Sequence, residues 1–398
     1  MSSRVRALFV TADHPFAGRA GSFVYSRSIL GMLGGAAEVT VASLELTPGR
    51  NVPTGGFPMT CAPGEVLGGG KLASLLKSVF VRESMVETQF NQDRALAWIN
   101  ARLEELQPDL VVFNHLRCAW LVPHLPGRWR QRSVYLAHNA EGVAYRSVAS
   151  LQSNLLMRKL VSHGARKIEA LEERVAAAAA SIWCISAQDG QRLSCLGGRD
   201  IHVIPPAAEA QPPQDRREPD RLLLVGSFNW QAKRRNAIWL VEEVWPDFRR
   251  EFPQWELRIV GAGATRLGHR VMSAPGVSVF ADVDSVDPFF RDGGVFVVPE
   301  RQQGGVKLKT LEAASWGLPV VSTPEGVEGT PLQHGESCMV AGDTADFVAA
   351  LKQLATDPAG GRAMGEAARA RVAAAHSTSM VQECFDRAAA RWLAGEPR

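Results

Sequence analysis

Short runs rich in valine, isoleucine and leucine recur along the chain, and most are followed by a longer segment with helical spacing. This alternation predicts parallel βαβ units, a fold class that leaves few topologies open. In the first half, strands are expected at 5–10, 38–42, 110–113, 133–137, 181–185 and 201–204, with helices near 23–33, 72–106 (with a break) and 154–179. The pattern then stops at "PPAAEAQPPQDRREPD", residues 205–220, which is rich in proline and charge and has no apolar periodicity. Such a stretch reads as a linker. Beyond it the alternation resumes, with strands at 222–225, 256–260, 277–280, 295–298 and 319–322, helices at 237–251, 306–316 and 346–356, and more helix after 360.

At 398 residues the chain is too long for one ordinary core. The expected architecture is α/β: two Rossmann-like parallel-sheet domains facing across a cleft. Their bounds are 1–205, a linker at 206–220, and 221–375, with a terminal helix at 376–398 that is a candidate to pack back on the first domain. Composition agrees, with 46% hydrophobic and 21% charged residues. A formal charge of +3 is too small for a dedicated nucleic-acid binder. The six cysteines are scattered with no C-x-x-C spacing, which fits thiols in a reducing compartment. The apolar run near the N-terminus is too short for a signal-peptide core or a span, so a cytoplasmic location is expected.

The most informative stretch is "QQGGVKLKTLEAASWGLPVVS", residues 302–322. It follows the strand at 295–298, and open α/β sheets bind ligands at the carboxyl ends of strands. Gly304 and Gly305 would offer backbone N–H groups at the positive end of the next helix, where anions bind. Lys309 and Glu312 lie three residues apart and share a helix face. The lysine can neutralise a diphosphate and the glutamate can accept hydrogen bonds from a ribose diol. On spacing alone, an ordinary surface ion pair explains them equally well.

The longer run "VFVVPERQQGGVKLKTLEAASWGLPVVSTPEGVEG" resembles the donor-site signature of family-4 glycosyltransferases, retaining enzymes of the GT-B fold. Three further stretches resemble that family in order and spacing: "RLLLVGSFNWQAKRRNAIWLVEEVWPDF", "LAHNAEGVAYRS" and "SIWCISAQD". The resemblance implies that Lys309 contacts the donor diphosphate, Glu312 holds the ribose, and Gly304 and Gly305 approach the phosphate or sugar. Lys233 and Arg234 fall near the family's other basic contact, in a loop one residue longer than usual. An acid common in the family is replaced by Gly304, and Glu300 stands four residues too early to substitute for it.

In the first half, "TADHPFAGRAGSFVYSRSIL" leads from a strand into a helix. Gly18 and Gly21 permit close backbone approach and Ser22 can cap the helix; the family resemblance places this loop against the donor phosphate and acceptor. His138, at the end of the strand 133–137, is positioned to hydrogen-bond a sugar hydroxyl or leaving group, with Glu141 and His115 as further acceptor-side candidates. Each could instead be structural. The G-x-G at Gly261–Gly263 lacks the third glycine of a dinucleotide fingerprint, having Arg266 there. Residues 71–90 show an apolar stripe with Lys71, Lys77 and Arg82 outside it, which fits a core helix better than a peripheral contact at the inner membrane face.

The reading is a retaining hexosyl transfer from a nucleotide-diphosphate-sugar, a co-substrate, to a glycan, lipid-linked or small-molecule hydroxyl. No bound cofactor or metal is implied. Asp282 and Asp284 form an Asp-x-Asp, but they are expected to point away from the donor, with Asp284 capping a helix. A nucleotide-sugar 2-epimerase of the same fold and a non-catalytic subunit of a glycosyltransferase complex remain the alternatives.

Overall fold

The computed structural model describes residues 4–18, 20–45, 54–67, 74, 77–79, 81–152, 154–212 and 220–393. The chain divides into two compact units, Met1–Pro206 with Val381–Arg398, and Ala207–Met380.

The first unit holds a seven-stranded sheet formed by β1 (Arg6–Thr11), β2 (Glu38–Ser43), β3 (Met59–Cys61), β4 (Leu110–Asn114), β5 (Ser133–Ala137), β6 (Ser181–Cys184) and β7 (Ile201–Val203). The order is β3-β2-β1-β4-β5-β6-β7 and every pairing is parallel. Strands β4, β5 and β6 are buried at every position, which is why they read as continuous apolar runs. The chain switches direction across the sheet between β1 and β4, so the loops at their carboxyl ends flank a crevice. A helical hairpin, Glu141–Ser150 and Leu155–Ala178, follows β5. Helix Thr378–Leu393 completes this unit's core, with Phe385 and Trp392 edge-on to the fully buried Trp183.

The second unit has six parallel strands in the order β10-β9-β8-β11-β12-β13. They are β8 (Arg221–Val225), β9 (Glu256–Gly261), β10 (Val277–Ala281), β11 (Val295–Val298), β12 (Val320–Ser322) and β13 (Met339–Val340). Its switch point lies between β8 and β11. Gly261 has φ 139° and a Cβ there would lie 1.9 Å from the Gly226 carbonyl oxygen, so close packing of two loops, not a nucleotide, accounts for this glycine.

Several expectations need correction. The helix expected at 237–251 starts at Gln231 and contains a π-helical turn, Leu240–Val244, just before Trp245–Glu251. Pro246 lacks an N–H and crowds the preceding turn, which the wider turn accommodates. The helix expected from 306 runs only over Leu308–Ser315. Ser22 is not a cap, because the helix Gly21–Ala36 has Ala20 as N-cap with no side-chain bond, and Ser22 accepts from Ser26 through its carbonyl. Asp284 is not a cap either: the helix Asp287–Asp292 has Val286 at that position, and the Asp287 N–H donates to the Ser285 hydroxyl at 3.1 Å.

Candidate active site

In the second unit, the loops after β8, β11 and β12 meet at the carboxyl edge of three adjacent strands. Gly304 and Gly305 take φ values of 102° and 66°, a turn that disfavours any side chain, and the helix Leu308–Ser315 begins three residues later. Lys309 and Glu312, on its first turns, pair with Nζ–Oε2 at 2.5 Å. Both are partly exposed, so the pair contributes about 0–1 kcal/mol and an anionic ligand can displace it. The Lys309 ammonium also lies 5.8 Å from the centre of the Phe290 ring.

Lys233 and Arg234 are already engaged by the protein. Lys233 forms an ion pair with the buried Glu300, whose other oxygen accepts from Asn236 Nδ2 at 3.1 Å. That contact crosses the switch point between β8 and β11. Arg234 donates to the carbonyls of Phe228 at 2.7 Å and Asn229 at 2.9 Å, bracing the loop after β8. Lys307 folds back onto the carbonyls of Gly304 and Gly305, at 2.7 and 3.1 Å. The Gly304 N–H donates to Glu328 at 2.8 Å, so this amide carries a carboxylate of the protein itself. Glu328 was not singled out from the sequence, although the loop's missing acid at 304 is the signal that makes a carboxylate here informative.

Asp282 has φ 52° and accepts from the Gly263 N–H at 2.9 Å. It ties the turn after β9 to the loop after β10. Among the described residues, no group of three His, Cys, Asp or Glu side chains is placed to hold a metal ion.

The first unit carries a denser polar network at the ends of β1, β4 and β5. Thr11 Oγ1 donates to the Asp13 carbonyl at 2.7 Å and accepts from Asn114 Nδ2 at 3.2 Å. Asn114 therefore turns Oδ1 toward His138 Nε2, 2.8 Å away. The histidine must donate from Nε2, which leaves Nδ1 as its acceptor atom. Burial holds the His138 pKa well below its ordinary 6.5, with His115 adding to the effect, so the ring is neutral at physiological pH.

His115 caps the one-turn helix Leu116–Ala119 with φ 74°, a strained backbone for this residue type. Its Nδ1 accepts from the Arg117 N–H at 3.3 Å, and its Nε2 donates to Glu141 at 2.8 Å. The two imidazole rings stand edge to face, centroids 5.3 Å apart. Gly21 opens the helix Gly21–Ala36 at its positive end, and Arg27 steadies the preceding loop through the carbonyls of Pro15 and Gly18, at 3.0 and 2.8 Å.

The supporting carboxylates were not legible from the sequence. Asp189 accepts from the Ala140 N–H at 2.9 Å, while Glu172 accepts from Glu141 N–H at 2.9 Å and Gly142 N–H at 3.1 Å. Three successive amides after His138–Asn139 are thus fixed by buried acids. Tyr135 also donates to Glu172, at 3.3 Å, and burial pushes that carboxyl up to about 7 against the pull of its hydrogen bonds. In the same loops, His14 Nε2 and Asn139 Oδ1 are buried with no protein partner.

Of residues 71–90, Ser74, Ser78, Ser84 and 86–90 are buried, and Ser74 and Thr88 exchange side-chain-to-carbonyl bonds at 3.3 and 3.0 Å. Lys71 and most of 68–76 lie outside the described residues. No described helix is long and apolar enough to cross a membrane.

Residues 219–357 match the family described as "Glycosyl transferases group 1". A 44.6 kDa protein of the cps region of Klebsiella pneumoniae is 27% identical over 136 residues, a match spanning 32% of this chain and about a third, 34%, of that relative's length. Sucrose-phosphate synthase from Thermosynechococcus elongatus superimposes with a TM-score of 0.72 at 17% identity, covering 99% of this chain and 100% of the other. HepE of Anabaena, in complex with UDP-glucose, gives a TM-score of 0.65 at 11% identity over 97% and 99% of the two chains. The chain has the GT-B fold, and the segment that matches the group 1 family lies within its second unit.

Proposed function

We propose that this protein is a family-4 type, retaining glycosyltransferase that moves a hexosyl group from a nucleotide-diphosphate-sugar to a hydroxyl acceptor. The observation that carries this reading is the Lys309–Glu312 pair on the first turns of the helix after the Gly304–Gly305 turn, inside the segment that matches the group 1 family. On donor binding, Lys309 exchanges Glu312 for the diphosphate and Glu312 turns to the ribose diol. Lys309 and the helix's positive end then neutralise the charge that develops on the departing diphosphate. The structure of HepE with UDP-glucose supports a nucleotide-sugar as donor.

His138, neutral and held through Asn114, accepts or orients a hydroxyl at Nδ1, and His115 with Glu141 positions it from the side. Attack on the same face as departure gives retention without a covalent intermediate. Positioning and charge stabilisation supply most of the acceleration. Asp282 spends Oδ1 on the Gly263 amide, and turnover is proposed to be metal-independent.

A panel of nucleotide-sugars assayed for donor hydrolysis and for transfer, with and without a chelator, tests the reading. Lys309→Ala should abolish nucleotide release, and chelation should leave initial rates unchanged. Epimerised donor in the absence of acceptor would replace transfer by the epimerase reading. An inverted anomeric product would refute retention, and restoration of a chelated enzyme by manganese would refute metal independence.

A further inference from the structure

The hairpin after β5 ends in a feature the sugar-transfer reading does not use. Leu151, Leu155, Leu156 and Met157 are exposed by 37%, 64%, 75% and 43%. They sit where the helix Glu141–Ser150 gives way to Leu155–Ala178. This is not a frayed end: Asn154 caps the second helix, its Oδ1 accepting from Leu156 N–H at 2.9 Å and Met157 N–H at 3.1 Å. The next two residues, Arg158 and Lys159, are exposed, and neither forms an ion pair with the described residues. From 151 to 168 the sequence holds Arg158, Lys159, Arg166 and Lys167 and no aspartate or glutamate. Lys167 turns inward to the carbonyls of Ser78 and Val81, which leaves Arg158 and Lys159 exposed beside the leucines and Arg166 exposed about two turns further along the helix.

We infer that this hairpin tip is a docking surface for anionic phospholipid. Large apolar side chains next to unpaired basic ones match the interfacial region of a bilayer, where leucine and methionine enter the acyl boundary and cations meet phosphates. Long basic side chains reach headgroups while their stems stay over the apolar patch. With no described helix able to cross a membrane, the contact lies in the interface. A second copy of this chain is a poorer occupant, because a two-fold contact would set Arg158 and Lys159 against themselves. The tip is one helix, about 15 Å, from Glu141, so docking holds the first unit's polar cluster close to the lipid surface. The docking rests on the hairpin alone; its use for a lipid-borne acceptor rests on the proposed function.

The test is flotation of the full chain with vesicles of phosphatidylcholine alone and of phosphatidylcholine mixed with phosphatidylglycerol. The protein should bind the mixed vesicles, bind neutral ones weakly, and be released by salt. Leu155→Asp/Leu156→Asp and Arg158→Glu/Lys159→Glu should each weaken partitioning roughly tenfold or more. These side chains are exposed, so the variants should keep the wild-type melting temperature; Leu155→Ser/Leu156→Ser gives a milder second pair. Donor hydrolysis measured without vesicles should be unchanged in all of them, which separates failure of docking from failure of the proposed activity. Absence of binding to anionic vesicles, or equal binding by wild type and both charged variants, overturns the inference. So does self-association that the leucine substitutions abolish while vesicle binding is absent.

Discussion

Glu172→Gln should remove a pH dependence built into the first unit. Glu172 is 1% exposed and accepts two amides at the start of the helix Glu141–Ser150. Burial lifts its carboxyl from an ordinary 4.5 to about 7. The folded chain therefore keeps this proton at pH values where the unfolded chain has lost it. The group's stabilisation is complete below about pH 4.5 and is lost as pH rises through about 7. At about 1.4 kcal/mol per tenfold change in proton affinity, the loss is roughly 3 kcal/mol. Glutamine keeps the shape and the acceptor oxygen but does not titrate. Urea unfolding of both proteins, at several pH values from about 4.5 to 8, should show the difference in stability shifting toward the variant by that amount. A difference that stays constant across this range would refute the reasoning, since it would mean that Glu172 ionises alike in the folded and unfolded chains.

Glu312→Ala should weaken binding of the free nucleotide by roughly 1–3 kcal/mol, as expected for lost charge-assisted hydrogen bonds; unchanged affinity by calorimetry would remove the ribose assignment. His138→Ala should lower transfer far more than nucleotide affinity. Because burial keeps His138 neutral, kcat/KM of the wild type should show no loss from its protonation until the pH falls well below 6.5, and a His138-dependent decline near neutrality would contradict this. Glu328→Ala frees the Gly304 amide and should change KM for the donor, whereas an unaltered KM would mean that this carboxylate only fastens the loop.

Much of the scaffold was legible because buried parallel strands carry their own signal. Val295–Val298 and Ser133–Ala137 were readable to the residue, being apolar runs bounded by polar loops. Met59–Cys61 and Met339–Val340 escaped because they are two or three residues long and only half-buried. The helix Glu141–Ser150 escaped for a different reason. Its N-terminus is satisfied by Glu172, thirty residues further along, and no local window contains that acid. The spacing of Lys309 and Glu312 pointed to a shared face, but not to the Lys233–Glu300 pair or to Glu328 on Gly304, which depend on which strands lie side by side.

The return of the last helix to the first unit sets an order of events during synthesis. Trp183 leaves the ribosome long before Phe385 and Trp392, which cover it, and the whole of Ala207–Met380 is made in between. Until then the first unit carries an open apolar face on a nearly finished sheet. A released chain truncated after residue 376, which lacks the helix Thr378–Leu393, should therefore fold its second unit while its first unit still engages chaperones, and the full chain should be released from them.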